Sequence, residues 1–240
     1  MFAEMPVDRA PRQSRVVFLL DVDNTLIDND AVRQRLDDAI TRIVGPDAAR
    51  TYWDVYEEVR GELGFVDSLK TLSRFHDRVE DPSAGALDRA VLDFPYAEVR
   101  YPETLRVLEA LWRVGMPVIL SDGDPVFQPL KIARAGVDQA VRGNVLVFQH
   151  KEEHLDDVAR LFPADRYVAV DDKAAILASI KLHWLERVRT VHVLQGKYAD
   201  DPYDGPRPDA VIERIGDLVS LVGTPDALRM FTQESTGGSL

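Results

Sequence analysis

The stretch that decides the fold is Val16-Val17-Phe18-Leu19-Leu20-Asp21-Val22-Asp23-Asn24-Thr25-Leu26, five apolar residues running straight into a carboxylate-bearing turn. A run that short, without polar alternation, is a strand buried on both faces, and such strands belong to parallel sheets covered by helices. Outward along the chain, aliphatic runs of the same kind stand at 118–120, 167–170 and 191–194, with a weaker one at 145–148. Helical periodicity at 103–114, 125–135, 151–161 and 173–186 separates the later runs, the pattern of βαβ units.

The expectation is an α/β protein: a Rossmann-like parallel sheet core with helices on both faces. Its first two core strands are separated by roughly a hundred residues, several times what a crossover helix needs. That interval shows helical period at 32–44, 48–63, 66–75 and 86–94, broken at Gly45-Pro46, Gly61, Gly64 and Asp81-Pro82. It predicts an inserted α-helical cap over 29–98, a core formed by 1–28 and 99–231, and a flexible tail at 232–240, where TQESTGGSL is small, polar and aperiodic.

Composition narrows the function classes. The 240 residues carry 29 Lys plus Arg against 41 Asp plus Glu, a net charge of −12, which argues against nucleic acid and anionic membrane as partners. The longest apolar stretch is far too short to span a bilayer, and the N-terminal segment lacks the features of a signal peptide. Cysteine is absent, which removes thiolate ligands and nucleophiles and fits a cytoplasmic setting. Oligomeric state is not legible.

In open parallel sheets chemistry gathers at the carboxyl ends of the strands. The segments there are DVDNTL, SDGD, QHKEE and DDK, which would bring Asp21, Asp23, Ser121, Lys151, Asp171 and Asp172 to one edge. Any one of these loops alone reads as a turn or helix cap; the four together point to a site. Carboxylates cannot share a small volume ionised without a cation, and an oxygen-only set favours Mg²⁺. A lysine would offset remaining charge, a serine hydroxyl would hold phosphoryl oxygens, and an aspartate could attack phosphorus.

Two rival motifs are weaker. The aspartate-rich run lacks the glycine and closing glutamate of a calcium loop, with Leu26 and Val32 in their places. His150-Lys151-Glu152-Glu153-His154 fits the H-x-x-E-H zinc pattern, but His150 follows a strand-like run directly, ahead of the helix that pattern requires.

Taken together, these residues resemble the haloacid dehalogenase-like hydrolase superfamily. Its first motif, D-x-D-x-T after the first strand, stands here as Asp21-Val22-Asp23-Asn24-Thr25; the second ends at Ser121 in VILS; the third is Lys151; the fourth is Asp171-Asp172 in YVAVDD. The resemblance spans about 16–195, with the cap between the first and second motifs. It implies that Asp21 is a nucleophile and metal ligand, and that Asp23 is acid and base with its carbonyl on the metal. Ser121 would bind the phosphoryl group, Lys151 would stabilise charge, and Asp171 and Asp172 would hold Mg²⁺. Members that dehalogenate lack the second aspartate of the first motif, so Asp23 implies a phosphatase acting on a small phosphorylated metabolite. One departure is Ala175, where many relatives place another acid; Asp172 would substitute for it. Lys131 and Lys173 also lie near strand ends, and Lys151 is preferred for its spacing.

A phosphomutase and a non-catalytic phosphate-binding protein stand as alternatives. Within the cap, Tyr52, Trp53, Tyr56, Arg60, Phe65, Arg74, Phe75 and His76 mix aromatic and basic character. One or two of Tyr56, Arg60 and Arg74 are expected to face the substrate, whereas Trp53, Trp112 and Trp184 are expected to pack.

Overall fold

The structure, a computed structural model, describes residues 14–80 and 83–232. Strands β1 (Ser14–Leu20), β2 (Met116–Asp122), β3 (Val145–Phe148), β4 (Ala164–Asp171), β5 (Val188–Val193) and β6 (Ala210–Ile212) form one parallel sheet in the order β3-β2-β1-β4-β5-β6. The α/β parallel-sheet architecture is therefore as expected. β1 lies at the centre, with Leu20 in register with Ile119 on one side and Val170 on the other. β1, its two neighbours β2 and β4, and β3 beyond β2 all run parallel, so their carboxyl ends lie at one edge and the loops after them converge.

Alternation along β1 sends its side chains into two cores. Val16, Phe18 and Leu20 join the apolar faces of α5 (Thr104–Leu111), α6 (Phe127–Arg134) and the short α7 (Val137–Ala140). Val17 and Leu19 meet α8 (Leu155–Leu161) and α9 (Ala174–Trp184) on the opposite face. Helices thus cover both faces, as a sheet apolar on both sides requires. Two C-terminal helices, α10 (Leu218–Val222) and α11 (Pro225–Thr232), extend the first core through Leu218, Val222 and Leu228.

Between β1 and β2 lie α1 (Asn29–Val44), α2 (Pro46–Leu63), α3 (Ser68–Arg78) and α4 (Ala84–Leu92). They share a core of their own around Ile40, Tyr52, Leu72, Phe75 and Leu87. Asp28 caps α1 by accepting from the Ala31 amide at 2.8 Å, and Asp67 caps α3 by accepting from Lys70 at 2.9 Å. Proline opens α2 and Gly64, at φ 78°, closes it. The entry and exit segments run side by side: the Asp28 amide donates to Val99 O at 2.8 Å and the Tyr101 amide to Leu26 O at 3.1 Å.

Several local expectations are corrected. The segment predicted as a helix from 151 opens instead with a 3₁₀ turn, Lys151–Glu153, and α8 starts only at Leu155, because His150 takes a left-handed φ of 59°. The helix expected at 125–135 is present as α6, and a short further helix, α7, follows it after Gly136, left-handed at φ 68°. β6 and the last two helices were not anticipated. Of the predicted tail, Thr232 closes α11; 233–240, the Asp81-Pro82 break and 1–13 lie outside the described residues.

Candidate active site

The turn after β1 folds back on itself. The amides of Leu26 and Ile27 both donate to Val22 O at 2.9 Å, and the Asn24 amide donates to Ile27 O at 2.7 Å with Asn24 in the left-handed region at φ 60°. Asparagine tolerates that conformation, and its Oδ1 accepts from the Asn29 amide at 2.9 Å. The result is a tight loop holding Asp21 and Asp23 at the sheet edge.

Asp21 and Asp171 share one cation. Lys151 Nζ donates to Asp21 Oδ1 at 2.5 Å and lies 2.7 Å from Asp171 Oδ2. Lys151 is 2% exposed, and although burial opposes its charge, Asp171 and Asp21 hold its pKa above the usual lysine range. Its own amide donates to Asp122 Oδ1 at 2.7 Å, which fixes the turn carrying it.

Asp172 completes an acidic trio: ligand oxygens of Asp21, Asp171 and Asp172 lie within 4.8 Å of one another. Both carboxylate oxygens of Asp172 are buried without a hydrogen-bond partner. Burial first, then the charges of Asp21 and Asp171, push the Asp172 carboxyl up to about 9. Burial likewise pushes Asp21 up to about 7, against the pull of Lys151. Three carboxylates with so little compensation, and with oxygen donors alone, fit a hard divalent cation.

Asp23 stands apart from this trio and joins Ser121 instead. Gln128 Nε2 donates to Asp23 Oδ2 at 3.0 Å and to Ser121 Oγ at 2.9 Å. Lys131 Nζ pairs with Asp23 Oδ1 and donates to Asn29 Oδ1 at 2.8 Å. Burial would raise Asp23, but the Lys131 charge and these hydrogen bonds hold it below the ordinary carboxylate range. All six expected residues thus lie at one edge, in two linked groups. Lys131 is not a rival to Lys151: each lysine serves a different aspartate. Sequence reasoning missed Gln128, although its position one turn before Lys131 on α6 was a usable signal. It also missed Gln195, which reaches the loop only through tertiary structure.

A cavity of about 710 Å³ opens between the α1–α4 insertion and the sheet edge, with Asp23, Gln128, Lys131 and Lys173 on its wall. Asp21, Lys151 and Asp171 do not line that cavity but a separate void of about 10 Å³. Tyr56 and Arg60 line the larger cavity. Arg74 does not: it forms a two-pronged bond to Glu62, both contacts at 2.7 Å. Trp53 packs against the core of the insertion, as expected, and its other side lines the cavity, with the Arg33 guanidinium 3.4 Å from its ring centroid. Trp184 does pack, stacked on Tyr167 at 4.2 Å. His154 stacks on Phe148 at 4.4 Å and His150 precedes any helix, so the zinc motif lacks its helical geometry.

A parallel α/β core, an acidic trio with a buried lysine at the strand ends and a helical insertion overhead define a class of hydrolase-like site. No family model matches the chain, and no curated protein matches it. Among solved structures, a haloacid dehalogenase-like hydrolase of Burkholderia xenovorans LB400 shares 43% identity over 89% of this chain and 98% of that one, with a TM-score of 0.79. The chain belongs to the haloacid dehalogenase-like hydrolase superfamily. The L-2-haloacid dehalogenase of Xanthobacter autotrophicus matches at 19% identity over 86% of this chain and 97% of that one, TM-score 0.56. The magnesium-bound HAD-hydrolase YfnB of Bacillus subtilis matches at 14% identity over 87% and 98%, TM-score 0.57. These last two share the fold. Among the described residues, no helix is long and apolar enough to cross a membrane.

Proposed function

We propose that the protein is a Mg²⁺-dependent phosphatase that hydrolyses a small phosphorylated metabolite through an aspartyl-phosphate on Asp21. The observation that carries this reading is Asp23: a second carboxylate on the cavity wall, gripped by Lys131 and Gln128. A carboxylate displacing halide from carbon needs no acid at the leaving group, because halide departs as a stable anion. An alkoxide leaving phosphorus needs a proton, and the water that follows needs a base. A positioned second aspartate fits the latter chemistry.

Mg²⁺ would be held by Asp21, Asp171, Asp172 and the carbonyl of Asp23; the unpartnered oxygens of Asp172 are the observation that favours it. When bound, the ion supplies positive charge against the carboxylates and a phosphoryl oxygen. Asp21 forms a bond to phosphorus as the bond to the ester oxygen breaks, and Asp23, ionised at rest beside Lys131, relays to that oxygen the proton that the phosphomonoester monoanion brings in. Asp23, now ionised beside Lys131, takes a proton from water as the water attacks the same phosphorus and Asp21 is released. Lys151 holds Asp21 in line, and the Ser121 hydroxyl binds a phosphoryl oxygen.

The test is phosphate release from p-nitrophenyl phosphate and from a panel of phosphorylated metabolites, with chloride release from 2-chloropropanoate measured alongside. Phosphate release that needs Mg²⁺, and that falls by orders of magnitude in Asp21→Asn, is expected. Chloride release without phosphate release would make the protein a dehalogenase. Phosphoryl transfer between sugar hydroxyls would make it a mutase, and phosphate binding without turnover a non-catalytic binding protein.

A further inference from the structure

The cavity wall carries six cations, Arg33, Arg60, Lys131, Arg134, Lys173 and Lys197, alongside five aspartates, Asp23, Asp30, Asp37, Asp122 and Asp124. Several are already matched: Lys131 by Asp23, Arg134 by Asp93 at 3.1 Å and Arg33 by Glu57 at 3.4 Å. Lys173 and Lys197 are not, since neither ammonium is ion-paired with a carboxylate among the described residues. Both stand beside one ring, that of Tyr198 in the segment after β5, with Nζ atoms 5.2 and 4.8 Å from its centroid. From the insertion, Arg60 of α2 donates Nη2 to the Tyr198 hydroxyl at 3.4 Å, and it shares the Glu57 carboxylate, 3.5 Å away, with Arg33, so that one acid serves two guanidiniums. The Tyr198 hydroxyl feels this: burial would raise it, but the bonds to Arg60 and Lys197 lower it below the usual phenol range.

Lys173 is balanced by the nearby charges of Asp21, Asp171 and Asp172, which leaves Arg60 and Lys197 as two cations meeting on one phenol, and an anion relieves their repulsion. A phosphoryl group at Asp21 already has Lys151 beside it. The cluster starts next to that position, because Lys173 follows Asp172 and its amide donates to Asp171 Oδ1 at 2.9 Å. It ends on α2, away from the acidic trio.

We propose that Arg60, Lys197 and Tyr198 form a second anion subsite, so that the substrate is a phosphomonoester carrying a second anionic group, carboxylate or phosphate, a few bonds from the first. The inference rests on the phosphatase reading. Its test uses phosphonates, whose carbon–phosphorus bond is not hydrolysed, with the folded protein and excess Mg²⁺. Calorimetry would compare propylphosphonate, 3-phosphonopropanoate and propane-1,3-bisphosphonate. At least one doubly anionic ligand should bind at least about tenfold tighter than propylphosphonate, as charge-assisted contacts allow; whichever gains more names the second group. In the Arg60→Gln/Lys197→Gln double variant that ratio should fall to about one, and in Tyr198→Phe, which keeps the ring, it should fall partway. Equal binding of all three by the unmodified protein would overturn the subsite. A ratio unchanged in a double variant with a native melting curve would overturn its assignment to these residues. If none of the three binds at millimolar concentration, the phosphatase reading itself fails.

Discussion

Asp21 and Asp23 are the same residue type two positions apart, yet their surroundings drive them in opposite directions. Burial among carboxylates raises Asp21, and Lys131 with Gln128 lowers Asp23. Held ionised, Asp23 is ready to act as a base toward the water of the second step. Asp23→Asn should therefore spare attack on a good leaving group but hinder breakdown of the phosphoenzyme. With p-nitrophenyl phosphate the variant should accumulate a phosphate-sized mass increase, visible by intact mass spectrometry and absent when Asp21 is also changed. Turnover should drop about 10²–10⁴-fold, the usual worth of general acid–base catalysis; a product burst without phosphoprotein would mean that water attacks directly. Lys131→Met gives the matching pH test. The base form of Asp23 is lost as pH falls through its pKa, and removing the ammonium raises that pKa, so the acid limb of kcat should move to higher pH. A limb that stays in place would show that Asp23 is not the group being read.

At the scale of elements, the nucleophile loop depends on a segment far away in sequence. Gln195, buried after β5, donates Nε2 to the carbonyls of Asn24 and Thr25 at 3.1 and 3.2 Å and accepts from the Ile215 amide at 2.5 Å. The next residue, Gly196, has φ 70°, and any Cβ there would run into the Asn24 side chain. Gln195→Leu should cost about 1–3 kcal/mol, because it leaves a buried amide and two carbonyls unpaired, read as a lower urea midpoint. It should also lower kcat more than it raises KM, since the loop carries Asp21 and Asp23; an unchanged kcat would mean that the loop holds itself. This contact also marks where sequence reading ends. β1, β2, β4 and β5 were legible because apolar runs buried on both faces are local signals, and the half-buried β3 showed as a weaker run, whereas β6 is three residues long with Val211 56% exposed. The motif residues were legible because each stands at or just past the carboxyl end of a strand. Gln128 reaches the site through the helical spacing it shares with Lys131, a readable signal, whereas Gln195 arrives by tertiary packing, which no local pattern encodes. The helix expected from 151 failed for a local reason, the left-handed turn at His150 that lets Lys151 point inward.

For the whole molecule, the acidic trio couples stability to pH and to metal. In the folded protein without a bound cation, the Asp21 and Asp172 carboxyls sit at about 7 and about 9, whereas in the unfolded chain both titrate near 4. Between about pH 4 and pH 9 the folded state therefore binds more protons than the unfolded one, and stability falls as pH rises. Other shifted groups do not reverse this trend. The lowered carboxyls of Asp23 and Asp209 act only below the ordinary carboxylate range, and the raised Lys151 acts only above the usual lysine range. In chelator, the melting temperature should drop by several degrees from pH 6 to pH 8.5, on the order of a few kcal/mol for two buried carboxyls. Mg²⁺ binds the ionised trio, so the gain it gives should grow over the same interval. Asp172→Asn removes one charge and keeps the shape. It should flatten the pH dependence in chelator, melt higher than the unmodified protein at pH 8.5 there, and lose most of the Mg²⁺ gain. Thermal melts at three pH values, with and without Mg²⁺, read all of this without any substrate. A flat profile in chelator together with no Mg²⁺ effect would mean that these carboxylates do not share one buried volume.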